Sequence, residues 1–341
     1  MLLIVNCMIL GSILIPPNLF APAIFLGYLI PPLGLLDLGV AIVLVFKKRS
    51  LKSILFATML VGLTTPFWNR TYQFSLRSDP RVERLSLLSY NTKLFRAPGV
   101  YNKFSRKLID WVVNDSSTIK CIQEFSSNDK WPGLDITEQI KANGYFAHIY
   151  SNNLLKFGEH NPGLAIFSKY PIVSKGSLNA DINEGYHGII YADLAIDNDT
   201  FRIYNVHLQS YKIPFNDEVG MSIHQILNAL RRVKFTVLDH SRDLVDLINH
   251  SEKCPHPYLI VGDFNESPYS YNYGLLSRLS NAFEKKGRGF GFTVIKPPLF
   301  LRIDNIYCSE GIYLDSFEVD TQIEFSDHYP IRTSFSLEEN Y

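Results

Sequence analysis

The chain is poor in cysteine. Cys7, Cys121, Cys254 and Cys308 are the four in 341 residues, and no two form a C-x-x-C pair. That spacing argues against a zinc ribbon, a redox motif or a disulfide framework. Cys121 and Cys308 fall inside strand-like runs and read as small buried hydrophobes. An excess of either charge is also missing. Lys plus Arg and Asp plus Glu are 33 each, so neither a strongly basic nucleic-acid binder nor an acidic tail is indicated. Charged residues are scarce at 19%, against 46% apolar. There are no internal repeats and no low-complexity runs.

The apolar excess is concentrated before residue 70. Leu2 to Ile15 is apolar but short, and Pro16-Pro17 ends it. Ala23 to Phe46 and Leu51 to Trp68 approach the roughly 20 residues that span a bilayer. Both are apolar all round, unlike the amphipathic helices of a soluble core. The start "MLLIVNC" lacks the basic residues of a signal peptide. Residues 1–70 are therefore expected to form a membrane anchor of two or three transmembrane helices, followed by a linker at 71–83. Lys47, Lys48, Arg49 and Lys52 sit between the second and third stretches, a loop that stays cytoplasmic by the positive-inside rule. The remainder is then expected outside the cytoplasm, although the arginines of "RSDPRVER" pull the other way. Asp37, inside a span, requires a partner or a water-filled cleft.

From Arg84 the pattern changes to strands and helices. "RLSLLSYN", "TIKCIQEF", "YFAHIYS", "GLAIFSKYPI", "GIIYADLAID", "FRIYNVHLQS", "PYLIVGDFN", "LRIDNIYCS" and "HYPIRTSFSL" read as strands, with "DNDT" as a hairpin turn. Helices are expected at Tyr101–Asn114, over 217–250 as one or two pieces, and at 269–280. Another is expected over "DITEQIKANG", with Asp135 as N-cap, Glu138 at the third position and Gly144 as the stop. This order predicts an α/β four-layer sandwich, two mixed β-sheets flanked by helices, over residues 84–341.

Polar groups recur where these strands end. Asn91, Glu124, His207, Asp263, Asn265, Asp304, Asp327 and His328 each interrupt an apolar run. Singly, each is more simply a turn residue, a core histidine or a structural acid. Together they suit phosphate-ester hydrolysis. Carboxylates such as Glu124 bind a hard cation through oxygen. A histidine oriented by a carboxylate moves a proton from water, and asparagines donate to phosphate oxygens without adding charge. Asp327 and His328 are neighbours, so they share a site only if the chain leaves the ladder there; "SDH" is expected to be a loop leading into the last strand.

The ordered set "SYN … IQE … IFSKYPI … NVHL … GDFN … RIDNIY … SDHYPI" resembles the endonuclease/exonuclease/phosphatase superfamily, with the deoxyribonuclease-I-like fold, from about Arg84 to Leu337. With the apolar N-terminus it looks like a membrane-anchored bacterial branch. The resemblance implies a divalent-metal-dependent phosphoesterase using Mg²⁺, with Mn²⁺ as the alternative. It implies Glu124 and Asp327 at the metal, Asp263 orienting or deprotonating the attacking water, and His328 with Asp304 at the scissile phosphate. It also implies His207 as a phosphate contact or leaving-group acid, and Asn91 and Asn265 as phosphate or metal-water contacts. Lys169 and Gln209 are candidate substrate contacts. Lys93 stands where some members carry an extra acid, which speaks against a second metal. The expected substrate is a phosphate ester of nucleic acid, phospholipid or a soluble compound, at a multi-pass membrane location, with no protein partner implied. The competing function is a membrane-tethered binding protein on a dead hydrolase fold.

Overall fold

The computed structural model describes residues 1–48, 50–74, 85–97, 103–131, 133–151, 162–178, 187–197, 199–211, 222–294 and 301–337. The "RSDPRVER" run lies wholly outside them. These residues gather into two compact units. One comprises Met1–Gln73, Ser210–Leu244 and Glu266–Ser277; the other comprises Phe74–Gln209, Val245–Asn265 and Arg278–Tyr341.

The first unit holds α1 (Leu2–Ser12), α2 (Pro17–Phe20), α3 (Ala23–Gly27), α4 (Ile30–Val43) and α5 (Leu51–Thr71). Two helical stretches, Ala23–Lys47 and Leu51–Thr71, are long and apolar enough to cross a membrane, while α1 is shorter. Asp37 has a partner: Asn6 of α1 donates to its Oδ1 at 3.0 Å, and both are fully buried. The unit also contains most of α8 (Ile223–Ser251), which is one helix where the sequence left one or two open, and α9 (Tyr271–Leu275). The end of α5 is tied to the segment before α9. Arg70 donates to the Pro268 carbonyl at 3.0 Å, and the Thr71 and Tyr269 hydroxyls meet at 2.6 Å.

The second unit contains two six-stranded mixed sheets flanked by helices, the architecture expected. One sheet runs β13 (Ile312–Val319), β14 (Ile331–Leu337), β2 (Leu85–Asn91), β3 (Ile119–Phe125), β5 (Gly163–Ser168), β4 (Phe146–Ser151). The other runs β10 (Ser280–Asn281), β12 (Asp304–Cys308), β9 (Tyr258–Asp263), β8 (Asp199–His207), β7 (Gly188–Ile196), β6 (Ile172–Leu178). Two-residue pieces, β1 (Gln73–Phe74) and β11 (Arg288–Gly289), lie outside them. Each sheet has one parallel pair, β2 with β3 and β8 with β9.

On its outer face the first sheet is covered by α6 (Arg106–Asn114) and α7 (Ile136–Ala142). Helix α6 starts later than the periodicity suggests, because Ser105 caps it and accepts from the Leu108 amide. Helix α7 is capped by Asp135 as expected, and Gly144 takes the left-handed conformation beyond its end. Helix α10 (Ala282–Lys286) packs its Ala282 and Phe283 into the core.

Alternation along the strands sorts side chains into tiers between the sheets. Leu87, Cys121, Ile203 and Val261 belong to the apolar core. Two residues further along, Ser89, Gln123 and Asn205 form a buried polar tier. Gln123 donates to Ser89 at 3.1 Å and to Asn205 Oδ1 at 2.7 Å, joining the two sheets. Asn205 Nδ2 donates in turn to the carbonyls of Ile122 and Ala165, at 3.1 and 2.9 Å. Those residues are the last paired before the β3–β5 ladder shifts register between Ile122 and Phe125. Ile122 and Phe125 both pack on the outer cluster although they are three apart, so one extra residue must be accommodated between them. Glu124 takes it up with φ +48.

Replacing Asn205 with Leu takes the amide donor from the buried Ile122 and Ala165 carbonyls and removes one acceptor of the Gln123 amide. Each such loss is worth about 1–3 kcal/mol. A clear drop in the denaturation midpoint of the Asn205→Leu protein is expected, and an unchanged midpoint would refute the tier's structural role.

Candidate active site

The next tier, again two residues on, is the site. β2 ends in Asn91, β8 in His207 and β9 in Asp263, while β12 begins at Asp304. The ladder fixes their order: His207 is paired with Asp263, and Asp263 with Asp304. Sites at the carboxyl ends of parallel strands are the rule in open α/β sheets. Gly262 permits this crowding, since a Cβ there would lie 2.0 Å from the Val206 carbonyl oxygen.

Asn91 Nδ2 donates to Asp263 Oδ2 at 3.0 Å and to Glu124 Oε1 at 3.3 Å, a link between the sheets. His328 Nδ1 and Asp304 Oδ2 are 2.9 Å apart, and His328 Nε2 lies 3.7 Å from Asp263 Oδ2. His207 Nε2 stands 3.7 Å from the same Asp263 oxygen and 3.9 Å from Glu124 Oε1. Asp263 is thus the hub. Its other oxygen accepts the Asn265 amide at 2.9 Å, and Asn265 Nδ2 donates to the Leu208 carbonyl at 2.8 Å. Asn265 has φ +49, so the turn after Asp263 is left-handed. The "SDH" segment is a loop: β14 begins at Ile331, and the Ser326 hydroxyl holds the loop by donating to the Asn91 carbonyl at 2.8 Å.

The electrostatics follow from this packing. Burial, then the Asp327 charge, pushes the Glu124 carboxyl up to about 7. Burial and the adjacent Asp304 raise Asp263. Burial alone would lower His328, but Asp304 and Asp263 outweigh it and hold the imidazole proton up to about 10.

Not every acid is equally placed to receive a cation. The side chains of Asp263 and Asp304 are 1% and 2% exposed, whereas those of Glu124 and Asp327 are 17% and 25% exposed. Asp263, Asp304 and His328 do bring ligand atoms within 4.8 Å of one another. There, however, His328 Nδ1 is engaged by Asp304, and the imidazolium already compensates the acids. Glu124 and Asp327 keep solvent access, so a partly hydrated divalent ion could also be held there. Lys93 is beside them, its Nζ 2.7 Å from Asp327 Oδ2.

Lys169 is not with the others. Ser168 pairs with Ile119 at the far end of β3 from Glu124, about 16 Å away at the usual strand rise. Its ammonium donates to the Asn143 carbonyl and lies 4.1 Å from the centroid of the Tyr145 ring, so it closes the end of α7. Gln209 follows His207 by two residues and is partly buried. His187 was not anticipated: its ring packs edge-on against His207, with centroids 4.7 Å apart. The only signal for it was a histidine beside the glycine that opens β7.

The endonuclease/exonuclease/phosphatase family profile matches residues 88–328, and the chain belongs to this family. No curated protein matches it. Among solved structures it is similar to an endonuclease/exonuclease/phosphatase from Beutenbergia cavernae, with TM-score 0.56, 14% identity and coverage of 75% of this chain and 72% of that one. It is also similar to the human Nocturnin catalytic domain, with TM-score 0.54, 17% identity and coverage of 77% and 96%. The 3′ phosphatase NExo from Neisseria gives TM-score 0.50, 15% identity and coverage of 74% and 99%. The family membership supports phosphate-ester hydrolysis.

The His328 charge has a consequence for stability. Its pKa is raised from 6.5 to about 10, so its contribution is full below about pH 6.5 and is lost as pH rises through about 10. In chelator, the melting-temperature advantage of the parent over His328→Gln should be largest near pH 6 and shrink toward pH 10. A pH-independent difference would mean that His328 is not held as a cation.

Proposed function

We propose that the chain is a divalent-metal-dependent phosphoesterase, a phosphodiesterase, nuclease or phosphatase, carried on a membrane by its N-terminal helices. The observation that carries the reading is the Asp263 hub, where one carboxylate oxygen faces His207, His328 and Asn91 together. Apolar helices of 25 and 21 residues support the membrane location. The basic Lys47–Lys52 loop supports an orientation with the catalytic unit outside the cytoplasm.

Glu124 and Asp327 would hold one cation, Mg²⁺ or Mn²⁺, which when bound neutralises charge on the phosphate and leaving group. Lys93 adds a fixed positive charge at Asp327, consistent with a single-metal site. Asp263, with its raised basicity, takes the proton of the attacking water. His328, aimed by Asp304, presents an imidazolium to the phosphate oxygens, and His207 serves the leaving group. Asn91 and Asn265 supply neutral donors once a substrate displaces their present contacts. The sulfate bound by Nocturnin and the DNA hairpin bound by NExo are phosphate-like and phosphodiester ligands on the same fold. They favour a phosphate-ester substrate without choosing nucleic acid over phospholipid or a soluble ester.

The deciding experiment is hydrolysis by the full chain in detergent. Bis-p-nitrophenyl phosphate, DNA, RNA, phospholipids and inositol phosphates would be tried with Mg²⁺ and with chelator. At least one should be cleaved only with metal. Glu124→Gln should weaken metal binding by calorimetry, and Asn265→Ala should cut turnover roughly 100-fold or more. Failure on every substrate, with Asn265→Ala indistinguishable from the parent, would return the protein to the binding-module reading. Separately, a reporter fused after residue 341 should be active only outside the cytoplasm, and cytoplasmic activity would reverse the orientation.

A further inference from the structure

Helix α8 carries a row of positions at alternating spacings of three and four: Ile223, Ile226, Leu230, Val233, Val237, His240, Leu244, Leu247 and Ser251. Such a row is one face of a helix. From Val233 onward every member is buried. His240, the polar exception, is satisfied by the fully buried Glu266 carboxylate at 2.8 Å, which also accepts from Tyr211 and Asn272 at 2.7 Å each.

Before Val233 the row continues, but among the described residues its cover stops. Ile223, Ile226 and Leu230 are 64%, 36% and 40% exposed, as is Leu227, one turn beyond Ile223, at 45%. The residues that cover Val233 and Val237 are Ala21 and Ile24, from the N-terminal segment of the same unit. That segment exposes its own Leu19 and Phe20. Beyond it, α4 exposes Leu35, Leu36, Leu38, Ile42 and Val43 on a helix with no polar face. The apolar face of α8 therefore runs directly into a helical segment whose surface is itself hydrocarbon-like. Arg231 and Lys234 are exposed on the flank of the stripe, where long cationic side chains reach lipid phosphates while their stems stay apolar.

We propose that the first two turns of α8, Ile223–Leu230, lie in the membrane interface, with Ile223, Ile226, Leu227 and Leu230 among the acyl chains and Arg231 and Lys234 at anionic headgroups. The inference rests on the membrane reading of the N-terminal helices and extends it. The lipid contact is not confined to residues 1–70 but includes a helix some 150 residues further along the chain. An amphipathic stripe with flanking cations is the pattern of interfacial helices. Two independent contacts, span and stripe, fix a rotation that a span alone leaves free.

The test is site-directed spin labelling of the full chain in phosphatidylethanolamine/phosphatidylglycerol vesicles. Cysteines are introduced singly at Leu38, Leu227, Leu230 and Gln225 in a Cys7→Ser, Cys254→Ser background, since Cys121 and Cys308 are buried. Gln225 is exposed on the opposite face of α8. Labels at Leu38, Leu227 and Leu230 should show a several-fold higher ratio of oxygen to nickel-chelate collisions than the label at Gln225. If Leu38 is lipid-exposed but Leu227 and Leu230 behave like Gln225, the interfacial contact is wrong and the anchor stands. Leu227 shielded from both reagents would mean a protein partner, and would equally overturn the proposal. If Leu38 is itself accessible to nickel, the membrane reading fails and this inference fails with it.

Discussion

The hydrogen bond between Gln123 and Asn205 is the contact on which the site depends. It joins the two sheets one tier below the reactive groups, and both side chains are fully buried. Asn205 also completes the backbone carbonyls left where the β3–β5 ladder shifts. That shift frees Glu124 from the alternation that would otherwise point it into the outer helical layer. The Glu124 carboxylate is therefore positioned by neutral amides rather than by other charges. A buried amide pair does this without any dependence on protonation, because neither group titrates.

Above that tier the same logic is repeated with charge. Asp263 is the member of the site flanked on both sides within its own sheet, by His207 and by Asp304. Its negative charge is buried, and burial of an uncompensated carboxylate is costly. Compensation comes from His328, brought in by a loop rather than a strand, and from the Asn91 amide, brought in from the other sheet. The site is thus closed by three separate parts of the chain. Three residues at its edge, Lys93, Glu124 and Asn265, are non-glycine residues in the left-handed region. Such conformations cost roughly 1–3 kcal/mol each and persist where the surrounding structure over-determines them. Here Glu124 lies at the β3 bulge, Asn265 in the turn after Asp263, and Lys93 donates its backbone amide to Asn91 Oδ1 at 3.1 Å.

Most of this site was legible in the sequence because titratable residues at the ends of apolar runs are conspicuous. The pairing of His328 with Asp304 was implied by the family resemblance, and the loop character of "SDH" followed from strand parity. What was not legible has a common cause. Gln123 and Asn205 are neutral and mid-strand, and nothing marks a buried amide until its cross-sheet partner is known. Glu124 sits at a bulge without the glycine that would advertise one. Lys169 looked like a substrate contact because it ends a strand, but it ends the antiparallel β5, whose last residue lies at the opposite edge from the site. His187 precedes its strand rather than ending it. In the fold, the strands with clear alternation were read correctly, while helix boundaries shifted to the capping residues that hold them.

Residues 1–70 were read as a separate anchor, and two of their helical stretches do have the length and apolarity for that. In the folded chain they share a compact unit with Ser210–Leu244 and Glu266–Ser277. The second of these segments begins at the residue directly after Asn265. Glu266 is fully buried and bonded to His240, Tyr211 and Asn272, so the "GDFNES" motif faces two ways along the chain. Asp263 and Asn265 serve the site, and Glu266 serves the helical unit. Asn265, left-handed and bonded to the Leu208 carbonyl, is held in that turn by its neighbours rather than by its own conformational preference.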